Sequence, residues 1–458
     1  MTEADAIEFV KKVQMIKCES QVSNQDTGGV ILFGIDEAQQ YELVGVYDAQ
    51  DLQKKVNEQC KQMIPMVRPV FTSAMLDGKT IVIAEIPGID IAERPCYYAG
   101  VGRTKGSYVR VGDSDEPMSD YEIYSYEAFR KKYQDDIRIN ERADMTVIEL
   151  SRLNAYVDRI KEKNPNLSKI SDEEIKKFLN MGVDGRPTLV CILLFSIYPQ
   201  MLYPQYTINA MVVPGYEKGE VTDAGARFLD NVRIEGTIDE MLGQTMKFLI
   251  KNMKVQTIVD TQTGRRKDKT EYPVVALREA VLNALIHRDY SMHTEEMPIE
   301  VILYKDRIEI RNPGGLYGRM SLDTLGKTQP DTRNPVLARA METLGITENR
   351  YSGIPTIQRE LREAGLKEAV FADSRNEFMV TFYNQDAKVQ NVQDGEESRS
   401  LLEFCQEPRS RKEIADFLGI TTIYYVSQNY IHPLLESGQL KMTKPESPKS
   451  KNQKFYSV

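Results

Sequence analysis

The sequence predicts an α+β protein of several domains: a small α/β module first, a larger α/β domain in the middle, and a helix-turn-helix unit with a β-wing at the end. Three observations predict this. The chain has 458 residues, too many for one ordinary core and enough for about three domains. Residues 384–397 are rich in Gln, Asn, Asp and Glu and read as a solvated linker that sets off the last 60 residues. Between the two ends lies a long apolar helical stretch interrupted by one regular polar stripe.

That stretch is Arg278-Glu279-Ala280-Val281-Leu282-Asn283-Ala284-Leu285-Ile286-His287-Arg288-Asp289-Tyr290. Glu279, Asn283 and His287 recur every four residues, which stacks them on one face of a helix. The residues between them are apolar, so the helix is mostly buried. Buried polar groups need partners. A magnesium nucleotide would supply them, and so would an internal hydrogen-bond network.

Composition narrows the classes. With 41% hydrophobic and 28% charged residues the chain is of the soluble globular kind. Its net charge of -9 excludes a protein that binds polyanions with its whole surface; nucleic-acid contact requires a local patch. No apolar run approaches the 18 or so residues of a membrane span, and the acidic start Met1–Asp5 has no signal-peptide pattern. The five cysteines lack CxxC spacing, which argues against zinc and disulfides and fits a cytoplasmic location. Three histidines leave little room for a His-based metal site.

In chain order, residues 1–17 read as an amphipathic helix. Ser23 to Gly29 is a polar turn ending in a Gly pair, either a phosphate cradle or a tight turn, and Val30–Phe33 is a strand. A strand near 43–46 and a helix over 49–63 follow. Val70–Met75 and Thr80–Ile86 form a hairpin around Asp77-Gly78. Arg103, Lys105 and Arg110 alternate with Tyr97, Tyr98 and Tyr108; basic residues among aromatics suit nucleic acid, although such residues are also ordinary in a surface hairpin. The module ends near residue 135.

Next come a helix at 146–162, a helix start at Ser171-Asp172-Glu173-Glu174, and the apolar run 187–196, a helix or a buried strand. A strand at Ile208–Val213 precedes a periodic helix at Thr237–Asn252. Beyond the central helix, strands at Ile299–Tyr304 and Arg307–Arg311 deliver Asn312-Pro313-Gly314-Gly315. The stretch 317–335 suits a mobile lid or a long loop. A helix at Val336–Leu344, another opened by Ser352-Gly353, and a strand at Phe378–Phe382 complete the domain.

Helices at 399–405, 411–418 and 423–435 precede wing strands at Leu440–Thr443 and Lys454–Ser457, with Leu418–Thr421 as the helix-turn-helix corner. Gly438–Val458 holds five Lys and one Glu, a local net of +4, which makes the wing a phosphate contact through residues such as Lys441 and Lys444. Base reading falls to Gln428 and Asn429, or to Thr421, Tyr424 and Ser427. A docking or dimerisation module is the alternative.

These motifs resemble the bacterial AlbA_2-type (Schlafen AlbA-like, divergent AAA-4) DNA-binding proteins, many described as transcriptional regulators and others as RecG-helicase-related. The resemblance rests on Leu277–Tyr290, Asp306–Leu316, Arg333-Asn334-Pro335, Ser23 to Gly29, Phe33-Gly34-Ile35, Gly45 and Tyr108–Gly112. It implies an AlbA-like module over 1–135. Over 136–383 it implies linking helices and an α/β sandwich similar to GHKL (Bergerat-type) ATPases. Over 398–458 stands the winged helix-turn-helix. By resemblance Glu279 is a general base for water, and Asn283 is a Mg²⁺ ligand bridging to phosphates. His287, Asn312, Gly314, Gly315 and Gly353 belong to the same ATP site.

The chain departs from the family in two places. Asn312-Pro313-Gly314-Gly315 stands where GHKL enzymes carry Asp-x-Gly-x-Gly, and the second glycine motif is reduced to Ser352-Gly353. Glu19-Ser20-Gln21 runs almost directly into Ser23-Asn24, where the family has a further strand and helix; this predicts that residues 1–135 are less stable than the rest. The favoured reading is a cytoplasmic, dimeric DNA-binding regulator with ATP and Mg²⁺ as cofactors. The alternatives are a slow ATPase, a Schlafen-like nuclease using Asp36, Glu37 and Glu85, and a non-catalytic scaffold. With no G-x-x-x-x-G-K-[ST] loop, a P-loop helicase has no support.

Overall fold

The computed structural model describes residues 24, 28–36, 41–111, 114–259, 266–347, 352–374, 376–385, 401–402, 404–418, 426, 430–431, 434–435, 439–444 and 453–457. It is a mixed α/β chain whose contacts divide into two compact units, 1–385 and 386–458.

In the first unit, Lys79–Ile86 is the middle strand of three, antiparallel to Gly29–Phe33 and Val70–Leu76. Its run Thr-Ile-Val-Ile-Ala buries Ile81, Val82, Ile83 and Ala84 almost completely, as a strand covered on both faces requires. The helix Ala49–Cys60 starts at Asp48, whose carboxylate accepts the Gln50 and Asp51 amides. Gly28 stands where a side chain does not fit, since with φ +67° a Cβ there would be 2.2 Å from the Ile86 carbonyl, and Gly29 opens the strand. Asn24 pins the module together, accepting the Cys96 amide at 2.7 Å and donating to the Cys96 and Tyr108 carbonyls. The expected helix over 1–17 and the Glu19–Gln21 junction lie outside the described residues.

The larger part of the unit is a six-stranded mixed sheet in the order 230–234, 208–212, 299–303, 307–313, 377–383, 370–374. Ile208–Val212 and Ile299–Leu303 are parallel, because the helices Ile238–Asn252 and Val274–His287 lie in the crossover between them; every other pairing is antiparallel. Thr237 and Glu240 form a capping box that starts the first of these helices. The second buries Ala276, Leu277, Ala280, Val281, Leu282, Ala284, Leu285 and Ile286, so its low amphipathicity follows from burial on nearly every side. Residues 187–196 resolve as a wholly buried helix, Leu189–Phe195, and not as a strand. Elements without a counterpart in the sequence reading include the helix Asp120–Lys131, the edge strands Asp230–Ile234 and Val370–Ser374, and the hairpin of Val255–Val259 with Arg266–Thr270.

In the second unit, Arg409–Ser410, Lys454–Ser457 and Leu440–Met442 make a three-stranded sheet beside the helix Arg411–Leu418. Leu401, Cys405, Ile414, Val426, Ile431, Leu440 and Phe455 form its core. No described helix is long and apolar enough to cross a membrane.

Candidate functional site

The polar stripe of the central helix opens on a cavity of about 550 Å³. Glu279, Asn283 and His287 are half-buried on a helix whose apolar residues are almost all buried. Asn312, Gly314 and Gly315 enter from the end of the strand Arg307–Pro313, and Gly353 enters from the start of the helix Gly353–Glu363. Seven residues singled out from the sequence therefore share one cavity wall.

Gly353 is fixed by close approach. A Cβ there would stand 2.4 Å from Glu279 Oε1 and 3.0 Å from Asn283 Nδ2. The first turn of its helix therefore abuts the stripe. Among the described residues no side chain caps that turn, and the first-turn amides of a helix favour an anion. Arg278, Arg333 and Arg359 also line the cavity, so cations accompany the single Glu of the stripe. Burial, and Arg333 after it, push the His287 pKa down to about 4, which keeps its ring neutral at pH 7.

Behind the glycine turn lies a buried network. Asp289, fully buried, accepts from Arg333 Nη1 at 2.8 Å and from the Tyr121 hydroxyl at 2.6 Å on Oδ2, and from the Ser291 amide at 2.8 Å on Oδ1. Burial alone would raise this carboxyl, but the Arg333 guanidinium and these hydrogen bonds outweigh it and hold the pKa below the usual value. Arg333 also donates to the Gly315 carbonyl at 3.3 Å and lies over the Tyr317 ring at 4.7 Å. Gly314, with φ +96°, packs so closely that a Cβ would meet Asp289 Cβ at 2.5 Å. The next residue, Asn334, donates to the carbonyls of Ile286 and Arg288, both at 2.8 Å, and so satisfies the end of the central helix. Pro335 starts a helix whose Val336 and Leu337 amides are accepted by Asp136. Arg333-Asn334-Pro335 is thus a structural clasp. Sequence reasoning quoted it as a motif without finding its partner Asp289.

The helix Asp120–Lys131 braces this floor. Besides Tyr121 on Asp289, Phe129 meets the Tyr317 ring edge-on at 5.6 Å, and Tyr124 lies 4.3 Å from the His293 ring. Residues 317–334 form irregular turns along the cavity, with Tyr317, Met320, Leu325 and Gly326 in its wall.

The basic residues of the first module are arranged differently from the expected hairpin. Residues Arg103–Gly106 make one helical turn. Arg103 lies over the Tyr97 ring at 5.7 Å and pairs with Glu127 of the bracing helix. Lys105 is exposed, and Tyr108 is half-buried with its carbonyl held by Asn24. The Arg110 side chain lies outside the described residues, as do Glu37, Thr421, Tyr424, Ser427, Gln428 and Asn429. Lys441 and Lys444 are exposed on and just after the strand Leu440–Met442. Among the described residues no group of three or more His, Cys, Asp or Glu could hold a metal ion.

Three family matches cover separate parts of the chain. Residues 9–119 match the family described as "Schlafen, AlbA_2". Residues 296–382 match "Putative ATP-dependent DNA helicase recG C-terminal". Residues 396–456 match "Filamentation induced by cAMP protein Fic-like, C-terminal domain". The first two agree with the AlbA_2 and RecG-related resemblance read from the sequence; the third was not anticipated there. No curated protein matches the chain. Of solved structures, the DIP2311 protein from Corynebacterium diphtheriae aligns at 18% identity over 96% of this chain and 83% of its own, with a TM-score of 0.42. The N-terminal domain of a "Putative ATP-dependent DNA Helicase RecG-related Protein" from Nitrosomonas europaea aligns at 25% identity over 26% of this chain and 80% of its own, with a TM-score of 0.17. Both superpositions are loose. The chain therefore combines an AlbA_2-like region with a RecG-related, ATPase-like region.

Proposed function

We propose that the protein is a DNA-binding transcriptional regulator whose central, GHKL-like domain binds a magnesium nucleotide and thereby modulates its hold on DNA. The observation that carries this reading is the convergence of Glu279, Asn283, His287, Asn312, Gly314, Gly315 and Gly353 on one cavity. Asn283 and the first turn of the Gly353 helix hold the phosphate end, and Asn312 lies at the base end. Mg²⁺ bound largely through phosphate oxygens and water needs only one or two protein ligands, so Asn283 with Glu279 beside it fits such an ion although no larger carboxylate cluster is present among the described residues. The ion, when bound, would offset phosphate charge. Glu279 is positioned to orient water, which makes slow hydrolysis compatible with this role.

DNA contact is assigned to the exposed Lys105 in the first module and to Lys441 and Lys444 in the last. The small sheet beside the helix Arg411–Leu418 supports a winged helix-turn-helix there. The bracing helix Asp120–Lys131 supplies the route by which the cavity and the first module influence each other, because Tyr121 hydrogen bonds to the aspartate beneath the glycine turn. Such an effect requires different nucleotide affinities in the free and DNA-bound forms. Fluorescence anisotropy on duplex DNA at fixed salt tests this. DNA affinity is expected to change at least severalfold when Mg-ATP is added, and Tyr121→Phe is expected to shrink that change. An affinity for DNA that is the same with and without Mg-ATP would contradict the regulatory reading.

A further inference from the structure

The side-chain amide of Asn312 has an unusual setting. It is 5% exposed, its Oδ1 is buried, and that oxygen has no hydrogen-bond partner among the described residues. The residue lines the cavity beside Ile310, Phe371, Phe378 and Val380, which are all apolar. Phe371 and Phe378 stack with ring centroids 6.1 Å apart and planes 19° from parallel, and Phe378 is the strand partner of Asn312. A buried amide oxygen left without a donor is costly. A ligand that reaches this end of the cavity removes the cost if it brings a donor in a flat, largely apolar frame. The edge of a heteroaromatic base has that character.

An amide presents an acceptor and a donor side by side, and rotation of the side chain by half a turn exchanges them. It therefore fits a base edge in either polarity. A 6-aminopurine offers its amino N–H to Oδ1 and accepts from Nδ2 at N1. A 6-oxopurine accepts from Nδ2 at O6 and offers N1–H to Oδ1. A carboxylate at the same place could only accept: it takes N1–H and the 2-amino N–H of guanine, but faces the N1 of a 6-aminopurine acceptor to acceptor.

We infer that Asn312 makes this cavity a purine-nucleotide site that takes guanine as well as adenine. The inference rests on the nucleotide reading above and specifies its base. Calorimetric titration of the full-length protein with Mg-ATP and Mg-GTP tests it, using the parent, Asn312→Asp and Asn283→Ala. The parent is expected to bind both nucleotides with dissociation constants within about tenfold of each other, a difference of about 1.4 kcal/mol or less. Asn312→Asp is expected to lose ATP by at least about tenfold relative to GTP. ATP binding that Asn283→Ala abolishes, with no GTP binding to the parent, would overturn the inference and leave the nucleotide reading intact. An unchanged ATP-to-GTP ratio in Asn312→Asp would also overturn it. Binding of neither nucleotide would remove the nucleotide reading and the inference together. The ratio in the parent decides the matter without any variant if Asn312→Asp fails to fold.

Discussion

Two polar groups meet at the central helix, and they differ in what faces them. Asp289 and Arg333 lie behind the glycine turn, at most 5% exposed, and each finds its partners within the protein. Glu279, Asn283 and His287 lie on the helix just before them, half-buried, along a cavity wall. Polar residues bonded inside the protein maintain its shape. Polar residues arrayed along a cavity are open to something that enters it. Substitution should separate the two groups: the first should affect folding, the second binding.

The largest effect is expected in the buried network. Arg333→Ala leaves Asp289 as an uncompensated buried charge and should lower stability by about 3–5 kcal/mol, read by denaturant unfolding. A loss below about 1 kcal/mol would mean that the pair is not needed for the shape of the turn.

A smaller effect, on binding alone, is expected at Gly353. Gly353→Ala places a methyl group against Glu279 Oε1 and Asn283 Nδ2. The clash falls on side-chain ends along the cavity wall and not on backbone, so the melting temperature should stay close to that of the parent while Mg-ATP affinity falls by about tenfold or more, the scale set by about 1.4 kcal/mol of lost interaction. Equal affinity in parent and variant would place the phosphate end elsewhere.

The effect that is smallest at neutral pH is the titration of His287. Folding lowers the His287 pKa from 6.5 to about 4. Between those values the unfolded chain binds the proton and the folded chain does not, so this residue's contribution to stability is complete above about pH 6.5 and is lost progressively as pH falls toward 4. The parent should therefore lose stability more steeply than His287→Gln over that window, as followed by chemical unfolding at a series of pH values. Parallel pH profiles would show that the imidazole is hydrated in the folded protein.

The cavity wall was legible in the sequence because its signals are local. A four-residue polar period inside an apolar helix, and a glycine pair at a strand end, can each be read within a few residues. The network behind the wall was not legible, because Arg333 reaches Asp289 across 44 positions and Tyr121 reaches it across 168. The strand Asp230–Ile234 was missed because, at the edge of the sheet, it keeps three of its five residues in a largely polar and exposed setting, Asn231, Val232 and Arg233. The hairpin strand Arg266–Thr270 has no apolar residue at all, so no alternation marks it. Arg103 was read with Lys105 and Arg110 as a nucleic-acid contact, and nothing local announces Glu127, 24 residues on, as its partner.

The central claim is that the half-buried stripe binds a nucleotide, and calorimetric titration of Mg-ATP into the parent and into Asn283→Ala tests it most directly. The account predicts saturable, magnesium-dependent binding by the parent, and no binding by a variant that melts at the same temperature. Absence of binding to the folded parent, or undiminished binding to Asn283→Ala, would contradict it.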